Sequence, residues 1–303
     1  MTPLCESPWL ASTAGRPVFL KLECVQRTGS FKFRGALNAL MRLRASQRGD
    51  AVPHVVTASA GNHGRAMALA ARLLGYRATV FVPRDAPRAK VDAIRRHGAD
   101  LQADAATYDD AEAEGKAFAT DARLPFVSPY NHPDVIAGAG MIGLEVFERL
   151  PNAGTLVVPI GGAGLISGIA IVARSIAPAA RVVGVEVEAS TAFLTSLRHG
   201  RITRIEPRPT LADGLGGNMD PDTITFEIVQ KYVDEIVTVN EEELAEGLRG
   251  LLREEHLVVE GAGAAAPAAV LAGKVRGAGP LVALASGANI DLERLLAVAG
   301  RTP

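Results

Sequence analysis

The sequence predicts an α/β protein of two lobes, with open, mostly parallel sheets flanked by helices. Three observations predict it. Short apolar, β-branched runs alternate with helical stretches of about 10–15 residues, the pattern of βαβ units. Four segments rich in glycine and serine follow predicted strands, where open α/β sheets receive their ligands. The chain is 303 residues long and 48% hydrophobic, enough to bury two lobes or one large α/β unit.

Taken in order, Val18–Leu22 reads as a strand, followed by a loop and a helix over Gly35–Ser46. His54–Thr57 is a strand running into a glycine loop and a helix near Arg65–Leu74. Ala78–Val82 is a strand ending at Pro83, and Ala89–His97 is a helix closed by Gly98. Asp109–Ala122 is helical, Phe126–Val127 is a short strand, and Ala139–Arg149 is a helix that stops before Pro151. Leu156–Ala173 is uncharged and long enough to span a membrane. Pro159 and four glycines make it a buried strand (Leu156–Ile160) turning into a helix (Leu165–Ser175). Val182–Val187 and Glu235–Val239 are strands, Glu241–Glu255 and Gly263–Leu271 helices, and Leu281–Ala285 the last strand. Pro129-Tyr-Asn-His-Pro reads as a crossing between lobes, which places a small domain at 52–133 and a large one at 1–51 and 134–303. Arg201–Gly217 reads as a long surface or site loop.

Composition excludes some partners. Thirty-two Lys and Arg against 33 Asp and Glu give no positive excess for a nucleic acid or an anionic membrane. Cys5 and Cys24 form neither a disulfide framework nor a metal-ligand spacing, and the N-terminus lacks a basic stretch before an apolar one. A cytoplasmic protein is expected. Only six of the basic residues are lysine: 21, 32, 90, 116, 231 and 274.

The first glycine-serine segment is Thr28-Gly-Ser-Phe-Lys-Phe-Arg-Gly. A lysine there, just before a helix, reads either as a carbonyl-condensing amine or as a solvated side chain. The second is Ser59-Ala-Gly-Asn-His-Gly, whose small residues let backbone N–H groups approach a carboxylate or phosphate; His63 and Asn62 have structural readings as well. The third is Gly161-Gly-Ala-Gly-Leu-Ile-Ser-Gly. It suits a phosphate, and its GxGxxxG (162, 164, 168), with Glu186 ending the next strand, equally suits a dinucleotide. The fourth is Ser286-Gly-Ala-Asn, which alone reads as a turn or a helix cap. Neither Ser59 nor Ser286 stands in the strand–GxSxG–helix context of a hydrolase nucleophile.

In this order and at these separations the four segments resemble the fold-type II pyridoxal-phosphate enzymes, which include the tryptophan synthase β chain. The likeness is nearest to the serine/threonine dehydratase and serine racemase group. It runs from Thr2-Pro-Leu to Ile290-Asp-Leu, essentially the whole chain, and also takes in Lys21-Leu-Glu. The resemblance implies that Lys32 holds pyridoxal phosphate as a Schiff base, with Phe31 against the pyridine ring and Asn62 at the 3′ oxygen. It implies that Gly161, Gly162, Ala163, Gly164 and Leu165 hold the phosphate, although Ala163 departs from an all-glycine pattern. Ser286 would face the pyridine nitrogen, where a neutral hydroxyl leaves the ring a weaker electron sink than a carboxylate would. Ser59, Gly61, Asn62 and His63 would receive the substrate carboxylate, and Asp213 would lie near its hydroxyl.

The implied reaction is β-elimination from L-threonine or L-serine. Lys32 removes the Cα proton, the hydroxyl leaves, and the released enamine hydrolyses to a 2-oxo acid and ammonia. Two departures sharpen this. Racemases of the group carry a serine where this chain has Ala60, and a methyl cannot carry a proton, so little racemisation is expected. Metal-dependent members carry an aspartate where Glu186-Val-Glu-Ala-Ser-Thr-Ala ends in Ala192, so no metal is expected. Longer biosynthetic threonine dehydratases continue into regulatory domains past the point near 303, so feedback control at such a domain is not expected. Relatives already have an N-terminal helix where Thr2-Pro-Leu falls, which raises a truncated start or a missing helix. Relatives are commonly dimers. The alternatives are a dehydratase for a 3-hydroxyaspartate- or hydroxyectoine-derived substrate, or a serine racemase. Outside this chemistry stand an NAD-dependent dehydrogenase, which leaves Lys32 and Ser286 unexplained, and a non-catalytic ligand-binding protein.

Overall fold

The computed structural model describes residues 1–46 and 52–300. The chain divides into two compact units, one of Met1–Phe31 with Ala139–Pro303 and one of Lys32–Gly138. The first unit opens with β1 (Leu4–Glu6), α1 (Pro8–Ala14) and β2 (Val18–Leu22). The second holds α2 (Lys32–Ser46), β3 (His54–Ala58), α3 (Asn62–Leu74), β4 (Arg77–Pro83), α4 (Arg88–Arg95), β5 (Asp100–Ala105) and α5 (Tyr108–Asp121). The division then falls inside α6 (Pro133–Arg149). After it come β6 (Thr155–Pro159), α7 (Gly164–Ile176), β7 (Arg181–Val187), α8 (Ala192–His199) and α9 (Thr225–Tyr232). The chain finishes with β8 (Glu235–Val239), α10 (Glu241–Arg253), α11 (Gly261–Leu271), β9 (Leu281–Ala285) and α12 (Leu292–Ala299).

In the larger unit six strands form one sheet in the order β1-β2-β9-β6-β7-β8, parallel except for the short edge strand β1. Every residue of β6 and β9 is buried, as a parallel sheet covered on both faces requires. One face packs against α1, α10 and α11, the last buried from Gly261 to Val270, the other against α6, α7 and Phe193 of α8. In the smaller unit β3, β4 and β5 form a parallel sheet in that order. No helix among the described residues is long and apolar enough to cross a membrane. The uncharged run 156–173 is the strand β6 turning into the helix α7, as its proline and glycines require.

The unit boundaries fall at 31/32 and 138/139, whereas the sequence places them at 51/52 and 133/134; position 51 itself lies outside the described residues. Packing explains the shift. α2 buries Phe33, Ala36, Ala39 and Leu40 against Ala66, Met67, Leu69 and Ala70 of α3, so it belongs with the small sheet. The same packing corrects two helix starts. Gly35 and Gly138 are interior to α2 and α6: a Cβ on Gly35 would lie 2.8 Å from Val135 O, and one on Gly138 2.6 Å from Arg34 O. The sequence starts these helices at Gly35 and Ala139, and both glycines are instead close-approach points inside them. The strand β5 was not legible because its residues, Asp-Leu-Gln-Ala-Asp-Ala, carry little β propensity. The segment 201–212 has no regular element, in keeping with the expected loop, and ends in a 3-10 turn over Asp213–Leu215.

Candidate active site

In the smaller unit Lys32 is the first residue of α2, and its Nζ donates to the carbonyl oxygen of Pro129 at 2.8 Å. That acceptor is held by its neighbours. Val127 donates its N–H to Val56 O at 2.9 Å, and its own carbonyl accepts from Thr57 Oγ1 at 2.7 Å and His63 Nε2 at 3.3 Å. Ser128 Oγ accepts the N–H of Asn131 at 3.1 Å and so shapes the turn that carries Pro129. Of the other lysines, Lys21, Lys116 and Lys274 pair with carboxylates, and Lys231 lies over the Tyr232 ring.

Ser59, Gly61, Asn62 and His63 lie together on the turn from β3 into α3. Ser59 Oγ accepts the N–H of Gly61 at 3.2 Å. Gly64 is required there, because a Cβ would lie 2.1 Å from Ser59 O. Gly61 caps α3 without a side chain, and the first turn carries no acidic residue. An uncapped N-terminus of this kind suits a carboxylate. The side chain of His63 is turned into the fold. Its ring is buried, and burial foremost, then the Lys32 charge, pushes its pKa down to about 3. With Nε2 donating to Val127, the tautomer is set and the buried Nδ1 has no hydrogen-bond partner. The neutral ring faces Val127, and the group His63 can offer an anion is its main-chain N–H.

In the larger unit the first and fourth motifs are one construction. Phe31 donates its N–H to Ser286 O at 3.1 Å, Ala288 to Gly29 O at 2.8 Å, and Asn289 Nδ2 to Thr28 O at 2.8 Å. Gly29 has φ 73°, and a Cβ there would lie 2.7 Å from Asn289 Oδ1, so the stitch needs a glycine. Ser286 is buried at the end of β9 and donates to Ala262 O over a long 3.3 Å. Glu260, also buried, donates its N–H to Gly287 O at 3.0 Å.

The loop from Gly161 to Leu165 joins β6 to α7. Gly161 lies against the 213–215 turn, where a Cβ would come within 3.0 Å of Gly214 O. Thr225 Oγ1 donates to Gly162 O at 3.0 Å. Ala163 is the N-cap of α7 with φ 63° and ψ 6°, a left-handed conformation that costs an L-residue about 1–2 kcal/mol. Its methyl cannot cap, so the first turn of this 13-residue helix has no side-chain acceptor. Asp213 starts the 3-10 turn, exposed, with its carboxylate 3.5 Å from Arg294 Nη1 and accepting the N–H of Gly214 at 3.1 Å. It is thus already engaged by an arginine.

These groups fit pyridoxal phosphate. Lys32 supplies an amine on a neutral acceptor, the α7 N-terminus a phosphate cradle, Phe31 a half-buried ring, and Ser286 a hydroxyl whose present bond is weak. They fit a dinucleotide less well. Both oxygens of Glu186, the acid that would bind a ribose, accept the N–H groups of Phe193 and Leu194 at 2.8 Å each. Thr57, Val127, Pro129, Thr225 and Glu260 escaped the sequence reading. The first four act through or upon main-chain atoms, which leave no mark on residue type; Glu260 alone had a signal, preceding Gly261-Ala-Gly.

The chain matches the model of the family described as pyridoxal-phosphate dependent enzyme over residues 1–287. It is 44% identical to an L-threonine ammonia-lyase of Thermotoga maritima, over 97% of this chain and 72% of that protein. It is 38% identical to the catabolic L-threonine dehydratase of Escherichia coli K12, over 99% of this chain and 91% of that protein. Among solved structures, maize serine racemase superposes with a TM-score of 0.90 at 31% identity, covering 98% of this chain and 90% of that one.

Proposed function

This chain belongs to the family of pyridoxal-phosphate-dependent enzymes, and on that premise we propose that it is a lyase converting L-threonine to its 2-oxo acid and ammonia, by β-elimination of water and hydrolysis of the released enamine, with L-serine as a second substrate. One observation carries the reading: the amine of Lys32, which donates to the carbonyl of Pro129, and the uncapped start of α3 stand in one unit.

Pyridoxal phosphate, when bound, supplies the electron sink for charge developing at the substrate Cα. The chain supplies the rest. Lys32 holds the cofactor and takes the Cα proton on Nζ, while Phe31 packs against the ring. Asn62 meets the 3′ oxygen, and the main-chain N–H groups of 161–165 meet the phosphate. Ser286 offers the pyridine nitrogen a neutral hydroxyl, which does not keep that nitrogen protonated. Ser59 and the N–H groups of Gly61, Asn62 and His63 orient the substrate carboxylate. Asp213, paired with Arg294, approaches the substrate hydroxyl. Ala60 stands where a racemase needs a proton-carrying hydroxyl, which favours elimination over racemisation. The reading extends to a cytoplasmic homodimer, in keeping with the two free cysteines.

The test is the release of 2-oxo acid from L-threonine, L-serine and 3-hydroxyaspartate by the cofactor-loaded protein. Threonine is expected to be the best substrate, and Lys32→Ala to lower kcat by about 10³-fold. Loss of optical activity from serine without oxo acid would overturn the reading.

A further inference from the structure

Thr225 lies far from the four glycine-serine motifs in sequence, and nothing in residue type marks it. It is fully buried at the start of α9, and its Oγ1 donates to Gly162 O at 3.0 Å. Thr223 Oγ1 lies 2.8 Å from Thr225 Oγ1 and is itself buried. A threonine hydroxyl has one proton, and that of Thr225 goes to Gly162, so Thr223 is the donor between the two. Thr223 Oγ1 also accepts the N–H of Thr225 at 3.3 Å. The result is a buried relay of two hydroxyls ending on one loop carbonyl.

The consequence follows from peptide planarity. The chain has no cis peptide among its described residues, so Gly162 C=O and Ala163 N–H point in opposite directions across one rigid plane. Pinning the carbonyl toward α9 turns the Ala163 N–H the other way, and Ala163 is the residue held in a left-handed conformation. A rotated Gly162–Ala163 peptide would relieve that strain and present an oxygen where an anion needs a donor.

Resting on the assignment of 161–165 to the cofactor phosphate, we infer that Thr225 is the positioning residue of that loop, holding the Gly162–Ala163 peptide with its N–H toward the phosphate. It touches neither cofactor nor substrate and acts through one main-chain carbonyl.

The test compares retention of pyridoxal phosphate and of pyridoxal, which lacks the phosphate, by wild type, Thr225→Val and Thr225→Ser. Valine keeps the shape and removes the donor, so it is expected to weaken pyridoxal phosphate about ten-fold, as loss of one buried hydrogen bond does. Pyridoxal binding stays unchanged, the phosphorus resonance of the bound cofactor shifts, and serine restores both. A general packing defect would weaken the two ligands alike and overturn the inference, as would a valine variant that binds like wild type. Should Thr225→Val fail to fold, Thr223→Val carries the test through the relay, with a weakening of about two-fold expected for the phosphorylated ligand alone and none overturning it. A wild type that binds no pyridoxal phosphate defeats the cofactor reading itself, which is a separate result.

Discussion

His63 shows how far burial can alter one residue. Its imidazole has an ordinary pKa of 6.5 and is held down to about 3 in the fold, chiefly by burial and then by the Lys32 charge. Below pH 6.5 the unfolded chain takes up a proton that the folded chain refuses until about pH 3. Stability is therefore present above 6.5 and is lost as the pH falls through that window, by at most about 1.4 kcal/mol per pH unit. His63→Gln keeps a donor and removes the titration. The urea midpoint of wild type is expected to fall relative to that variant between pH 6.5 and 4; parallel curves would mean the ring reaches water. The sequence already offered a structural reading of this side chain beside the substrate-binding one that the resemblance implies. Its ring bonds Val127 O through Nε2, a partner that sequence alone does not reveal.

At the scale of elements, what separates the visible helix starts from the missed ones is where the cap comes from. α5 and α10 begin with capping boxes, Thr107 with Asp110 and Asn240 with Glu243, and the sequence located both starts within a residue. α8 went unread because its cap comes from the preceding strand: Glu186 of β7 reaches over to the N–H groups of Phe193 and Leu194. Burial pushes the Glu186 carboxyl up to about 7 from 4.5, against the pull of those two N–H groups. The sign is opposite to that of His63. The stability tied to this group is complete below pH 4.5 and is lost as the pH rises through 7, by about 3 kcal/mol at the limit. Glu186→Gln is expected to close the gap to wild type, or overtake it, between pH 4.5 and 7 in chemical unfolding. A gap that stays constant over that range would show the carboxylate to be well solvated.

Across the larger unit, a buried ionic network ties β2 to α6 and to the start of the chain. Lys21 Nζ lies 2.5 Å from Glu145 Oε2 and 2.8 Å from Thr2 O, and Thr2 Oγ1 donates to Glu23 Oε1 at 2.5 Å. Lys21 and Glu23 are fully buried. Replacing the lysine alone removes the ammonium 2.5 Å from the buried Glu145 carboxylate, which the N-terminal amine 3.9 Å away offsets only in part, so Lys21→Met is expected to cost about 3 kcal/mol in urea unfolding. Lys21→Met with Glu145→Leu is expected to recover most of that loss. An equal loss in the double variant would assign the cost to packing instead of charge.

Local composition determined the alternation of strands and helices, the uncharged run that becomes β6 and α7, and the four glycine-serine loops. These are legible because periodicity, capping and small-residue runs act between near neighbours. Tertiary structure decided what depends on distant partners. It placed α2 with the small sheet through Phe33 and Leu40, and it inserted β9 between β2 and β6. It joined Gly29 to Asn289 and brought Thr225 onto Gly162. Apolar side chains such as Phe33 do not specify their partners, and the hydrogen-bonded joints have a further reason. Main-chain carbonyls and N–H groups are identical in every residue, so which of them meet is set by how the chain packs and leaves no trace in residue type.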